Sequence, residues 1–202
     1  MSPIRRARPD DVPAIVQLVK DLAAYEREPD AVKLTEAGLH TALFGPDPAV
    51  FAHVAEADGA VQGFALWFRS FSTWEGVHGI YLEDLYVRPQ ARGRGYGKAL
   101  LRTLARHAVA QGYARMEWSV LDWNEPSIEF YRGLGARPQE GWSVYRLTGA
   151  ALAAAGAPEP ASAPAPEPAS APAPAATDGA PRAGQADASP VTATAVEAPA
   201  SR

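Results

Sequence analysis

LEDLYVRPQARGRGYGKALL, residues 82–101, is the stretch on which the reading of this chain turns. It passes from an apolar run to a helical pattern through Gly93, Gly95 and Gly97, amid the cations Arg88, Arg92, Arg94 and Lys98, with Arg102 just beyond. Two adjacent carboxylates, Glu83 and Asp84, precede the junction. Glycines let a backbone turn with positive φ and approach a ligand without a Cβ clash. Free N–H groups at a helix start, reinforced by the positive end of the helix dipole, make an anion site. The form R-x-x-G-x-G over Arg92–Gly97, with Arg94 and Lys98 adding charge, therefore fits a phosphate or pyrophosphate. By itself it also fits a glycine turn that binds nothing. No Gly-Lys-Ser/Thr closes it into a Walker loop, and no repeated parallel unit makes it a dinucleotide fingerprint.

Outward from this loop the pattern alternates between strands and helices. A short strand over 4–7 is followed by a helix over 11–26, capped by Asp10, with Val12, Ile15, Val16, Val19, Leu22 and Ala23 on one face. Thr35 and Glu36 start a second helix that ends near Gly45-Pro46. Apolar runs over 50–57 and 61–71, split by Asp58-Gly59, predict a hairpin. SFSTWEGVHG (70–79) reads as a loop, and 80–87 as a strand. A helix over 98–111 follows, with Leu100, Leu101, Leu104, Ala105 and Ala108 inward, stopped by Gly112. Then come a strand over 116–121, a helix Glu125–Arg132 and a last strand over 142–147. Trp67, Phe68, Trp118 and Trp123 fall in strand-like runs and are expected in the core. The order βααβββαβαβ predicts an α/β domain: a mixed sheet with helices on both faces.

The domain is expected to cover 1–148. From Gly149 the composition shifts to Ala, Pro, Ser and Thr, with EPASAPAP at 159–166 repeated at 167–174. Such a segment offers little apolar surface against its ordering entropy, which predicts a disordered Ala/Pro-rich tail over 149–202. The tail's Glu159, Glu167, Asp178, Asp187 and Glu197 against Arg182 and Arg202 account for −3 of the net charge of −4. The remaining near balance speaks against a nucleic-acid partner. There is no cysteine, hence no disulfide framework and no thiolate nucleophile. The four histidines show no ligand spacing, and no metal is assigned. MSPIRRARPDD is not a signal sequence, and no apolar run is long enough for a bilayer, so a cytoplasmic protein without membrane partners is expected.

The stretches LVKDLAAYE (18–26), STWEG (72–76), YLEDLYVRPQARGRGYG (81–97), DWNEPSIEFYRGLGA (122–136) and EGW (140–142) resemble the GNAT family of acetyl-CoA-dependent N-acetyltransferases. Within it they are most similar to the diamine (spermidine/spermine) branch and the related thialysine enzymes. The resemblance covers about 1–148 and implies the GNAT fold. It implies that Leu85, Tyr86 and Val87 pair with the pantetheine arm as a neighbouring strand would. The Gly93, Arg94, Gly95, Tyr96, Gly97 and Lys98 amides would then hold the pyrophosphate, and Asn124 and Ser127 would line the other wall. It implies a homodimer as well.

Acetyl transfer to an amine needs a neutral nitrogen, an oxyanion donor and a proton for the departing thiolate. An alkylammonium with pKa near 10.4 is neutral in about one molecule in 10³ at pH 7.4. Glu83 is the expected residue for polarising that amine, with Asp84 beside it. Strand alternation places one of the pair inward and the other outward. Asn124, Ser127 and Tyr131 fall at i, i+3 and i+7 on one helix face. The resemblance makes Tyr131 the general acid, with the Val87 amide as oxyanion donor. It also aligns Tyr25, Glu26, Glu140 and Trp142 with residues that hold polyamines. EREPDAV departs from the more acidic stretch of polyamine enzymes, since Arg27 adds a positive charge. The expected reaction is direct transfer of acetyl to a primary amine of a small diamine or polyamine. Thialysine, another amino acid or a protein lysine is the alternative acceptor, and a non-catalytic acetyl-CoA sensor the alternative class.

Overall fold

The computed structural model describes residues 3–158 and the backbone of 194–196. Strand β1, Ile4–Arg6, leads through a 3-10 turn into helix α1, Val12–Tyr25. Asp10 does not cap that helix. Asp11, one residue on, is buried and accepts from the Arg8 amide at 2.7 Å, while Arg5 holds it at 2.6 Å. Helix α2, Glu36–Phe44, is capped as expected: the Thr35 hydroxyl accepts from the Gly38 amide at 3.1 Å. β2, Phe51–Ala57, and β3, Ala60–Ser72, meet at Asp58-Gly59, whose φ values of 53° and 73° fit the primed turn expected there.

β4, Val77–Val87, pairs with β3 as far as Ser72↔Val77, so the expected loop over 70–79 shrinks to 73–76. The polar letters hid a ladder in which Phe71 and His78 pack edge to face. Helix α3, Tyr96–Ala110, begins two residues before the expected start and ends before Gly112, at φ 68°. Leu100, Leu101, Leu104 and Ala108 are buried, whereas Ala105 faces outward. On α1 the buried set includes Leu18, which the sequence reading left out. β5 is only Met116–Glu117, shorter than the expected 116–121, and helix α4, Glu125–Arg132, falls as expected.

The sheet order is β1-β2-β3-β4-β5, antiparallel throughout except for the parallel β4–β5 pair. α3 covers one face, over a core containing Leu82, Leu85, Val87, Leu100 and Leu104. α1 and α2 cover the other, over Ile15, Leu18, Leu39, Phe64 and Tyr86. This is the mixed sheet between helices that the sequence implied. A further strand, β6, Thr194–Val196, pairs in parallel with β4 at Asp84–Tyr86. The rest of the expected tail from 159 lies outside the described residues.

The unit just described runs to Glu140 and includes β6; a second unit begins at Gly141. The expected strand over 142–147 does not form there. Its residues make no ladder, and Tyr145 is 94% exposed. Strand-forming side chains cannot hold a lone strand whose N–H and C=O groups lack a neighbour. Helix α5, Gly149–Ala155, stands where an extended tail was expected to begin, in keeping with its run of alanines. No helix among the described residues is long and apolar enough to cross a membrane.

Candidate active site

The ladder between β3 and β4 slips once. Leu66 pairs with Asp84 and Trp67 with Leu82, which leaves Glu83 as an extra residue in β4. This is a β-bulge, a device that re-aims side chains next to functional sites. Its effect on parity is visible in the core. Leu82 and Leu85, three apart, both face α3, where strict alternation would put them on opposite faces. Asp84 then shares the parity of Tyr86, on the α1 face. The expectation that Glu83 and Asp84 point to opposite faces by simple alternation is therefore replaced. Both are partly shielded at a kink in the strand.

Burial is the main cause that pushes the Asp84 carboxyl up to about 7, and the nearby charges of Glu83 and Glu26 push in the same direction. Glu26 directly follows α1. Three carboxylates from two elements thus act on one another. Such a group gains from a cation that enters it.

Beyond the bulge β5 leaves β4, and β6 takes its place along Asp84–Tyr86. β5 accompanies β4 only at Ile80↔Met116 and Tyr81↔Glu117. The Arg88 amide donates to Gln62 at 2.9 Å, making that pair hydrogen-bonded and the Gly63/Val87 pair beside it non-hydrogen-bonded. The main-chain groups of Leu85 and Val87 therefore point away from β3, toward the edge that β6 borders, whereas those of Tyr86 face β3. Of Leu85, Tyr86 and Val87, two thus direct their backbone groups to that edge. β6 pairs along this same stretch of β4, so the edge is able to take an extended partner.

At the end of the strand, Gly93 and Gly95 take φ of 75° and 78°, and Gly95 is the N-cap of α3. No atom would meet a Cβ at either position, so it is the left-handed backbone that calls for glycine there. The first rung of the helix is the Ala99 amide to Gly95 at 2.9 Å. The amides of Tyr96, Gly97 and Lys98 precede that rung and have no acceptor in the helix. Arg94 and Lys98 are exposed beside them. Arg92 is used differently from its neighbours. Its Nε donates to the Val87 carbonyl at 3.0 Å, and its guanidinium lies over the rings of Tyr25 at 5.5 Å and Tyr86 at 5.6 Å. It ties the end of α1 to the end of β4.

The face of α4 carrying Asn124, Ser127 and Tyr131 is buried, at 0%, 0% and 4% exposure. The Asn124 carboxamide oxygen accepts from the Ser127 amide at 3.4 Å, capping α4, and from the Tyr25 hydroxyl at 3.3 Å. Tyr131 packs on Trp118 with ring centres 4.9 Å apart, within the same core as Leu85 and Val87. The end of α1, the edge of β4 and the start of α4 thus converge through Tyr25, Arg92 and Asn124. Glu140 is exposed, Trp142 belongs to the second unit at 44% exposure, and neither makes an ion pair or ring contact among the described residues. Trp123 was expected in the core but is 45% exposed, with Tyr25 against one part of it and Arg27 over its ring. The Asp-Trp-Asn turn before a capped helix was the signal for that placement. No group of His, Cys, Asp or Glu among the described residues is arranged to hold a metal.

A mixed sheet whose bulged fourth strand leads into a glycine-capped helix is the architecture of an acyltransferase that uses a coenzyme A thioester. The family description "Acetyltransferase (GNAT) family" matches residues 14–136. The chain belongs to the GNAT family and is an acetyl-CoA-dependent N-acetyltransferase. It is 38% identical over 160 residues to a thialysine N-epsilon-acetyltransferase of Bos taurus, covering 74% of this chain and 94% of that one. It is 32% identical to an L-ornithine N5-acetyltransferase of Arabidopsis thaliana, covering 76% and 87%. Among solved structures it is similar to an integron cassette protein of V. cholerae, with TM-score 0.65 and 26% identity over 75% of this chain and 95% of that one.

Proposed function

We propose that the enzyme acetylates the terminal primary amine of a small, short-chain molecule (a diamine, or an amino acid of the lysine or ornithine kind) by direct attack on acetyl-CoA. The observation that carries this reading is the group Glu26, Glu83 and Asp84 at the bulge, next to the edge of β4 that runs on through Leu85 and Val87. Mutually repelling carboxylates favour an ammonium ion and can accept its proton. The thioester would take the place of β6 along Leu85 and Val87, its diphosphate on the amides of Tyr96, Gly97 and Lys98, with Arg94 and Lys98 alongside.

In this reading the ammonium gives a proton to the carboxylate group, and the freed nitrogen attacks the thioester carbon. The Val87 N–H, directed at the same edge, donates to the oxyanion. As the C–S bond breaks, Tyr131 gives its phenolic proton to the sulfur, and the second proton that the nitrogen loses as the amide forms passes through solvent to restore the phenol. On ordinary values a phenol near 10 protonating a thiolate near 8.5 is uphill by about 2 kcal/mol. Desolvation of the departing thiolate, which raises its basicity as charge gathers on the sulfur, offsets that. A homodimer belongs to the same reading, supported by the exposed Trp142, Val144, Tyr145 and Leu147, apolar surface that a second copy could cover.

Release of free CoA is the test, measured over putrescine, spermidine, L-ornithine, L-lysine, thialysine and a lysine peptide. Turnover confined to the small amines supports the proposal. Turnover of the peptide alone moves the acceptor to protein lysine. Tight acetyl-CoA binding with no acceptor consumed makes the domain a sensor.

A further inference from the structure

Beside the acid group stands a cation without an acid of its own. Arg27 follows Glu26 directly and closes α1 in a left-handed conformation, φ 67°, its amide donating to Ala24 at 3.2 Å. That backbone is uncommon for a side chain of this size, so the turn dictates where Arg27 projects. Its guanidinium carbon lies 5.1 Å from the centre of the Trp123 ring, and Trp123 packs against Tyr25 at 5.8 Å. Glu26, Glu28 and Asp30 are its close neighbours in sequence, yet Arg27 forms no ion pair with a described residue. The guanidinium is exposed and rests on an indole face. A guanidinium stacked in this way keeps its edge N–H groups free for the fork that fits a carboxylate.

Two consecutive residues therefore present opposite charges at one lip of the site, Glu26 toward Asp84 and Arg27 over Trp123. We propose that Arg27 is a specificity-determining residue that binds the α-carboxylate of the acceptor, so that the enzyme prefers an α-amino acid with a primary amine at the end of a short side chain over the corresponding diamine. This rests on the acceptor site proposed above at Glu26, Glu83 and Asp84. A diamine would bring its second ammonium toward Arg27 and be repelled. An amino acid brings a carboxylate there while its terminal ammonium meets the acids.

Acceptors that differ only by that carboxylate give the test: L-ornithine against putrescine, and L-lysine against cadaverine. The wild-type enzyme is expected to show higher kcat/KM for the amino acid of each pair. A hydrogen bond to a charged group is worth a factor of about 10–100 in binding, so Arg27→Gln should lower the ornithine-to-putrescine ratio of kcat/KM about 10–100-fold. Arg27→Lys should restore part of the ratio, because a point charge remains without the fork. Melting curves show whether each variant is folded, and an exposed side chain leaves them near wild type. A wild-type preference for putrescine, or a ratio that Arg27→Gln leaves unchanged, overturns the assignment of Arg27 while leaving the acceptor site standing. A wild-type enzyme that acetylates neither member of either pair overturns the acceptor site itself, and the role of Arg27 with it.

Discussion

Replacing Asp84 with Asn tests the carboxylate group apart from catalysis, through stability. Burial first, then Glu83 and Glu26, raises Asp84 from its ordinary 3.8 to about 7. A carboxyl whose folded pKa lies above its unfolded one holds its proton better in the folded state. Stability is therefore highest below 3.8 for this group and is lost as pH rises toward 7. The full shift corresponds to about 4 kcal/mol, a ceiling that solvent reaching the partly exposed carboxylate lowers. An expected loss of about 1–3 kcal/mol between pH 4 and 8 should be present in the wild type and missing in Asp84→Asn. The assay is urea unfolding at fixed temperature across that range, comparing midpoints at constant slope. The variant should be the more stable protein at pH 8 and about equal at pH 4, while losing acetyl transfer. Putrescine or ornithine at saturating concentration should narrow the gap at pH 8, because a bound ammonium stabilises the ionised group. Parallel profiles for the two proteins would refute the reasoning, since Asp84 would then titrate like an exposed aspartate.

Three further outcomes follow from the same geometry. Tyr131→Phe removes only the hydroxyl from a well-packed ring, so kcat should fall by about 10²-fold or more while acetyl-CoA affinity by titration calorimetry stays put; equal rates would remove the phenol from the mechanism. Gly95→Ala meets no atom but must hold a left-handed backbone, at about 1–2 kcal/mol, so acetyl-CoA should bind about 10-fold more weakly with amine KM little changed. Arg5→Ala strands Asp11, whose side chain is 8% exposed, and should cost about 2–4 kcal/mol in urea unfolding, less than a fully buried pair because Arg5 itself is 24% exposed. Arg5→Ala with Asp11→Asn should recover part of that loss.

What could be read from the sequence was what depends on local chemistry. The Asp-Gly turn, the Thr35 cap, the Gly112 stop and the apolar face of α3 each rest on residues within a few positions, and the structure has them. The backbone of the glycine loop was legible for the same reason, since Gly93 and Gly95 take the left-handed turns that glycines at a strand-to-helix junction allow. What failed depends on partners distant in sequence. The strand expected over 142–147 needed a neighbour that residues of its own stretch could not reveal. β5 ended early because its pairing ceases beyond Tyr81. Asp10 and Asp11 are equivalent as letters, and only Arg5, brought near by β1, selects Asp11. Arg92 reads as one more phosphate ligand until Tyr25 and Tyr86 are found on either side of it.

The bulge at Glu83 is the most consequential of the features that periodicity concealed. A regular strand through Leu82 would turn Asp84 toward α3 and Leu85 toward α1, putting a carboxylate in the apolar core around Leu100 and Leu104. One extra residue reverses the parity. Asp84 moves to the α1 side, where Glu26 stands, and Leu85 and Val87 return to the α3 side, where Tyr131 packs. The same strand can then serve acceptor and cofactor together: the acids lie on one side of its kink, and the backbone of Leu85 and Val87 runs along the edge just beyond it. Removing Glu83 altogether should for that reason do more than remove a charge. It would leave Leu82 and Asp84 as neighbours opposite Trp67 and Leu66, close the bulge into a regular ladder with Asp84 still on the α1 side and Leu85 on the α3 side, and straighten the kink that aims the acids, whereas Glu83→Gln keeps the bulge and alters only the charge.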